Sequence, residues 1–281
     1  MGRDLYEKGP RFRSLFDEAA GCVPGLLDVT FNGPAERLAQ THIAQVALLT
    51  VETALATCLL DHGIRPIACA GHSLGEFSAL VAAEALSFSE ALRLVALRGR
   101  LMSQDVPEGG MTAVIGLAPD AIEAALPDTV NVANFNGPLQ TIVSGPLQGL
   151  EQAEENLREA GAKRVLRLPV SGPFHSPLMG VAAESFRTAL ESAAINPPCC
   201  RFVSSVTGRE CADPETIRAA LADQICSPVR WTGVMQDLGP VAALEIGPGR
   251  VLQGLAKRTD GAPRVTAIGT WESANLVCTS T

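Results

Sequence analysis

The feature that most constrains this chain is a serine framed by glycines, Gly71-His72-Ser73-Leu74-Gly75-Glu76, set between an apolar run and an alanine-rich one. The run before it, Ile67-Ala68-Cys69-Ala70, has the length and composition of a buried strand, and residues 74–86 have those of a helix. A strand that turns sharply through Gly-x-Ser-x-Gly into a helix exposes the serine hydroxyl near the positive end of the helix dipole, where an oxyanion is stabilised. As a bare pattern the motif is also an ordinary glycine-rich turn. The flanking strand and helix favour a catalytic serine.

The rest of the chain alternates helical and strand patterns around this unit. Residues 1–20 read as short amphipathic helical pieces broken at Gly9-Pro10, and residues 35–61 as one long apolar helix with His42 and His62 near its ends, both read as structural or solvated. After the serine come two helices, 74–86 and 89–102, separated by a turn and cap at Ser87-Phe88-Ser89 with Glu90 following. Arg93, Arg98 and Arg100 lie on the second, and periodicity alone reads them as a solvated face. Composition shifts at Pro107-Glu108-Gly109-Gly110. Beyond it the pattern is strand (112–117), helix (119–126), strand (130–134), strand (140–145), helix (147–160) and strand (163–168). That β-α-β-β-α-β order is the ferredoxin-like arrangement, inserted into a larger α/β unit. The expected division is therefore a core of residues 1–110 and 171–281 and a subdomain of residues 111–170.

A loop rich in turn formers follows, Val170-Ser171-Gly172-Pro173-Phe174-His175-Ser176-Pro177. A lone loop histidine is commonly a solvated residue, but His175 stands where the insert rejoins the core, and such seams make clefts. The pattern then reads helix (179–193), strand (201–206), helix (217–226), strand (241–246), helix (250–258) and strand (265–268), with a loosely ordered tail after Gly269.

Composition excludes several classes of function. With 47% hydrophobic and 19% charged residues in 281, the chain is globular and large enough for a sizeable core. A net charge of −8 without a long basic run argues against nucleic-acid binding. The eight cysteines show no CxxC spacing and read as reduced thiols. Met1-Gly2-Arg3-Asp4 opens no signal peptide, and the apolar stretch at residues 43–51, broken by Gln45, is too short to span a bilayer, so a cytoplasmic protein without membrane attachment is expected.

Six dispersed stretches stand out in one order: Gly71-His72-Ser73-Leu74-Gly75-Glu76, Arg98-Gly99-Arg100-Leu101-Met102, Asn134-Phe135-Asn136, Gly172-Pro173-Phe174-His175-Ser176, Gln224 with Ser227-Pro228-Val229-Arg230-Trp231, and Glu245-Ile246-Gly247-Pro248-Gly249-Arg250. Together they resemble a single family, the malonyl-coenzyme A:acyl carrier protein transacylases and the related acyltransferase domains of polyketide synthases. The resemblance implies an α/β-hydrolase-like core with an inserted ferredoxin-like subdomain, matching the element order read above. It implies Ser73 as nucleophile, His175 as general base, the Gln224 backbone carbonyl orienting the imidazole, and the Leu74 backbone N–H in the oxyanion hole. It also implies Arg98 as the clamp on the malonyl carboxylate, and Phe174 and Leu74 as determinants of malonyl over methylmalonyl.

The implied reaction moves a malonyl group from malonyl-coenzyme A through a Ser73 ester to the phosphopantetheine thiol of an acyl carrier protein, for fatty-acid or polyketide synthesis. It implies no bound cofactor and no metal. Lys163, Arg164, Arg167, Lys257 and Arg258 are candidates for docking an acidic carrier protein. Members usually begin with a strand and a Gly-Gln-Gly-Ser-Gln turn ahead of the Met-Gly-Arg segment that opens this sequence. The resemblance thus implies a core missing its usual N-terminal strand and one oxyanion donor, through truncation, a misassigned start or genuine impairment. Two other readings stand beside the transferase: a serine esterase or thioesterase, and an impaired homologue that only binds carrier protein.

Overall fold

The computed structural model describes residues 1–104 and 106–280, and it is a mixed α/β protein. Four short helices come first: α1 (Arg3–Tyr6), α2 (Pro10–Ala20), α3 (Leu26–Asn32) and α4 (Ala35–Leu38). The long helix expected over residues 35–61 is two, because Gln40 takes an extended conformation and starts α5 (Thr41–Asp61) afresh. Residues buried along α5 fall on nearly every side of it, from Ile43 and Val46 to Cys58 and Leu59. A helix apolar all round is a core helix. α5 has 21 residues and an 18-residue stretch of it reaches a mean hydropathy of 1.8, long and apolar enough to cross a membrane, contrary to the expectation from residues 43–51. In the fold, 67% of that 18-residue stretch is buried inside the protein.

Strand β1 (Ala68–Ala70) leads through the serine turn into α6 (Gly75–Ala82), which ends earlier than expected because Glu84 turns into the left-handed region at φ 57°. Helix α7 (Phe88–Leu101) starts at the expected cap, where the Glu90 N–H donates to Ser87 Oγ at 3.1 Å.

Next come β2 (Gly110–Ile115), α8 (Pro119–Ala125), β3 (Asn131–Gly137), β4 (Gln140–Gly145), α9 (Leu147–Glu159) and β5 (Arg164–Arg167). The four strands form an antiparallel sheet in the order β3-β4-β2-β5. Val114, Ile122, Val130, Val143, Leu150 and Leu157 give it a core of its own. Strand β3 runs longer than expected through two register shifts, and its free edge pairs outside the sheet. The Phe135 N–H donates to Val229 O and the Val229 N–H to Ala133 O, both at 2.8 Å.

Helix α10 (Gly180–Glu191) precedes β6 (Arg201–Ser204), which pairs parallel with β1, and β7 (Arg209–Glu210), which closes that three-stranded sheet. Then come α11 (Pro214–Asp223), α12 (Trp231–Leu238), β8 (Ala242–Ile246), α13 (Val251–Ala256) and β9 (Arg264–Ile268), with β8 and β9 a separate parallel pair. The tail expected to be loose is instead a helix, α14 (Trp271–Ser280). Thr270 and Ser273 cap it reciprocally, and Trp271, Ala274, Val277 and Cys278 pack against Phe12 and the Val51-to-Cys58 stretch of α5. No disulfide forms among the described residues, although the Cys69 and Cys200 sulfurs approach to 3.7 Å.

Candidate active site

The turn between β1 and α6 holds Ser73 at φ 51°, a left-handed conformation uncommon for a residue with a side chain. Gly71 makes that turn possible: a Cβ there would lie 1.9 Å from the Gly75 carbonyl carbon. Among the described residues the Leu74 N–H, at the start of α6, has no acceptor. His175 is likewise left-handed at φ 57° and buried, its loop fixed by His175 N–H to Ile225 O at 3.1 Å and Ser176 Oγ to Pro173 O at 2.6 Å.

These two turns place His175 Nε2 2.9 Å from Ser73 Oγ. On the other side of the ring, Nδ1 lies 2.9 Å from Gln224 O and 3.1 Å from Ser227 O. Carbonyls only accept, so Nδ1 carries the proton and Nε2 offers its lone pair to the serine hydroxyl. Burial, reinforced by Arg98 and His72 and opposed by the two carbonyls, pushes the His175 imidazole down to about 3. It is therefore neutral in the working range of pH, as a proton acceptor must be.

Arg98 is 1% exposed. Its Nη2 donates to Ser73 Oγ at 3.0 Å and its Nη1 to Gln45 Oε1 at 2.7 Å, with the Phe77 ring 6.0 Å from the guanidinium carbon. Its Nε is buried without a hydrogen-bond partner, and among the described residues it joins no ion pair. Burial lowers its pKa to about 10, which leaves it charged at neutral pH. The Glu76 carboxylate offsets part of that burial at longer range, and an anion delivered beside Ser73 would pair with the guanidinium directly.

Glu76, the last residue of the serine motif, is also 1% exposed. It accepts from the Ser205 N–H at 2.5 Å and from Gln224 Nε2, and the same Nε2 donates to Ser73 O at 3.0 Å. Burial raises the Glu76 carboxyl pKa against the pull of these donors. Gln224 thus touches both reacting side chains' supports: its amide holds the Ser73 backbone and its carbonyl the His175 ring. His72 Nε2 lies 2.8 Å from Asn136 Oδ1 and its ring 5.5 Å from that of Trp231, joining the serine turn to β3 and α12.

The structure brings Ser73, His175, Gln224, Leu74 and Arg98 together. Phe174 is buried in the main core with its ring edge against Gly172. Of the basic candidates, Arg167 is engaged by Glu154 at 2.7 Å. Arg164 and Arg258 flank one rim: Arg164 pairs with Ile115, Ile115 with Gln140, and Arg258 donates to Gln140 Oε1 at 3.3 Å. A cleft of about 660 Å³ follows the seam, lined by Phe135, Pro138, Thr207, Arg230 and Thr232 among others, but neither Ser73 nor His175 lines it. Sequence reasoning missed Gln45, Glu76 and His72 as partners; a polar Gln45 inside the apolar 43–51 run was the available signal.

Comparison with known proteins places the chain in a family. The acyl transferase domain model matches residues 1–275. The malonyl CoA-acyl carrier protein transacylase of Bacillus subtilis (strain 168) is 40% identical over 288 residues, covering 98% of this chain and 91% of that protein. An acyl carrier protein S-malonyltransferase from Vibrio cholerae superposes with a TM-score of 0.92 at 38% identity, covering 99% of this chain and 94% of that one. A malonyl-transacylase solved with its type II polyketide synthase acyl carrier protein gives a TM-score of 0.93 at 37% identity, covering 100% and 95%. The chain belongs to the acyl transferase domain family, among the malonyl-coenzyme A:acyl carrier protein transacylases.

Proposed function

We propose that this chain moves a malonyl group from malonyl-coenzyme A to Ser73, and from Ser73 to the phosphopantetheine thiol of an acyl carrier protein. The observation that carries the malonyl assignment is Arg98: a buried guanidinium whose Nη2 lies 3.0 Å from the Ser73 hydroxyl and whose Nε is unpartnered. Its fork matches a carboxylate on the acyl group bonded to that serine. The names of the relatives support the same substrate and partner.

In the first half-reaction His175 Nε2 takes the Ser73 proton as Oγ attacks the thioester carbonyl. The oxyanion forms beside the Leu74 N–H at the start of α6. As it collapses, the carbon–sulfur bond breaks, and coenzyme A leaves with the proton held by His175. In the second half-reaction His175 takes the proton of the pantetheine thiol, which attacks the malonyl ester, and returns it to Ser73 Oγ. The Gln224 and Ser227 carbonyls steady the imidazolium in both halves, so a Ser-His dyad suffices without a carboxylate. Neither half calls for a metal or bound cofactor.

The strand order β3-β4-β2-β5 with helices α8 and α9 supports a ferredoxin-like insert over residues 111–170, and β1, the serine turn and α6 support a hydrolase-like core from residues 1–110 and 171–281. Phe174 and Leu74, both buried and adjacent in sequence to the dyad, are the residues we assign to acyl selectivity. A single methyl is worth about 1–3 kcal/mol of discrimination, so methylmalonyl is disfavoured rather than excluded. Lys163, Arg164, Lys257 and Arg258, all exposed, form the carrier-docking rim. The reaction belongs to the cytoplasm. Radiolabelled malonyl-coenzyme A with holo carrier protein tests the reading: label on the carrier supports transfer, and free malonate as the main product identifies a hydrolase instead.

A further inference from the structure

Among the described residues one group of thiol and imidazole side chains lies well away from Ser73. Cys58 and His62 stand one turn apart near the C-terminal end of α5, and Cys278 meets them from α14. The two sulfurs and an imidazole nitrogen all lie within 4.8 Å of one another, and the two thiols are in hydrogen-bond contact. We propose that Cys58, His62 and Cys278 bind a zinc-class divalent metal that clamps the C-terminal helix onto α5.

Spacing, orientation and donor chemistry agree. Residues i and i+4 share a helix face, so α5 supplies two ligands and α14 the third. His62 Nδ1 lies 2.8 Å from Cys58 O, and since a carbonyl only accepts, Nδ1 carries the proton and the Nε2 lone pair is left for a metal. Tetrahedral zinc, with bonds of about 2.3 Å to sulfur and about 2.0 Å to nitrogen, sets ligand atoms roughly 3.5–3.8 Å apart. A spacing of up to 4.8 Å therefore needs a contraction of about 1.3 Å at most. Thiolate and imidazole donors suit zinc over magnesium or calcium. His62 is exposed, leaving a solvent-side position for water. Gln45, which touches Arg98, precedes Cys58 by thirteen residues on the same helix, about 20 Å of rise, so the metal is structural and stands outside the acyl transfer.

The test uses the full chain, purified in reductant, stripped with a chelator and titrated with zinc, then with cobalt as a spectroscopic probe. The expected result is one equivalent of zinc bound, a higher thermal midpoint, and a thiolate-to-cobalt charge-transfer band. Cys278→Ser and Cys58→Ser each remove the band, while malonyl transfer by the Cys278→Ser protein stays at the unsubstituted level. His62→Ala weakens zinc binding about 100-fold or more without removing both thiolates. Zinc uptake unchanged in Cys278→Ser overturns the proposal. So does a Cys58–Cys278 disulfide in non-reducing mass spectra combined with no zinc uptake in reductant.

Discussion

Replacing Arg98 by alanine separates what the guanidinium does for the acyl group from what it does for the serine. In the resting site Nη1 is held by Gln45 and Nη2 by Ser73 Oγ, while Nε is unpartnered. A malonyl carboxylate gains charge-assisted hydrogen bonds worth about 1.5–3 kcal/mol each, and removing one partner of a buried ion pair costs about 3–5 kcal/mol. At about 1.4 kcal/mol per decade, Arg98→Ala lowers kcat/KM for malonyl-coenzyme A by about 10²–10⁴. An acetyl group has no carboxylate, so its transfer loses only the Nη2 contact to Ser73, about tenfold. The substitution also removes a buried cation that makes no direct ion pair among the described residues and feels Glu76 only at longer range, so the thermal midpoint of the unliganded protein changes little. Initial rates of acyl-enzyme formation with the two thioesters, measured side by side, give the ratio. Equal losses on both, or a variant that unfolds at markedly lower temperature, refute the carboxylate clamp.

His175→Ala lowers acyl transfer by about 10²–10⁴, read from carrier acylation rates, because among the described residues His175 Nε2 is the one base hydrogen-bonded to Ser73 Oγ. The depressed His175 pKa also has a sign in stability. Unfolded chains bind a proton there below about pH 6.5 and the fold does not until about 3, so this contribution is whole above 6.5 and is lost as pH falls through that window. Unfolding midpoints between pH 7 and 4 therefore fall more steeply for the unsubstituted protein than for His175→Gln. Glu76→Gln sets an amide donor against the Ser205 N–H or Gln224 Nε2, at a cost of about 1–3 kcal/mol. Acting through Gln224, it lowers kcat for malonyl and acetyl alike, unlike Arg98→Ala, and steady-state rates on both substrates check it.

The parts legible in the sequence were those written locally. Gly71 ahead of Ser73 announces a turn whose close backbone approach only glycine allows, and alternating short apolar runs announce the order of β2 to β5. Helix α14 was missed because Trp271, Ala274, Val277 and Cys278 follow polar Thr270 at a spacing whose meaning depends on Phe12 and α5, more than two hundred residues away. The partners of the site were hidden for the same reason. Glu76 meets Ser205 across 129 residues and Gln45 meets Arg98 across 53, and pairing at such separations leaves no periodic trace. Arg98 shows the difference most plainly: on periodicity it belongs to a solvated face, and folding buries it against the nucleophile.

The central claim is that Ser73 carries the malonyl group between two thiols. Intact-mass analysis of the protein after brief exposure to malonyl-coenzyme A, followed by peptide mapping and addition of holo carrier protein, tests it most directly. The account predicts one malonyl group on Ser73, lost to the carrier thiol when the carrier is added and never formed in Ser73→Ala. An unmodified protein, or a malonyl group that forms equally well in Ser73→Ala, contradicts it.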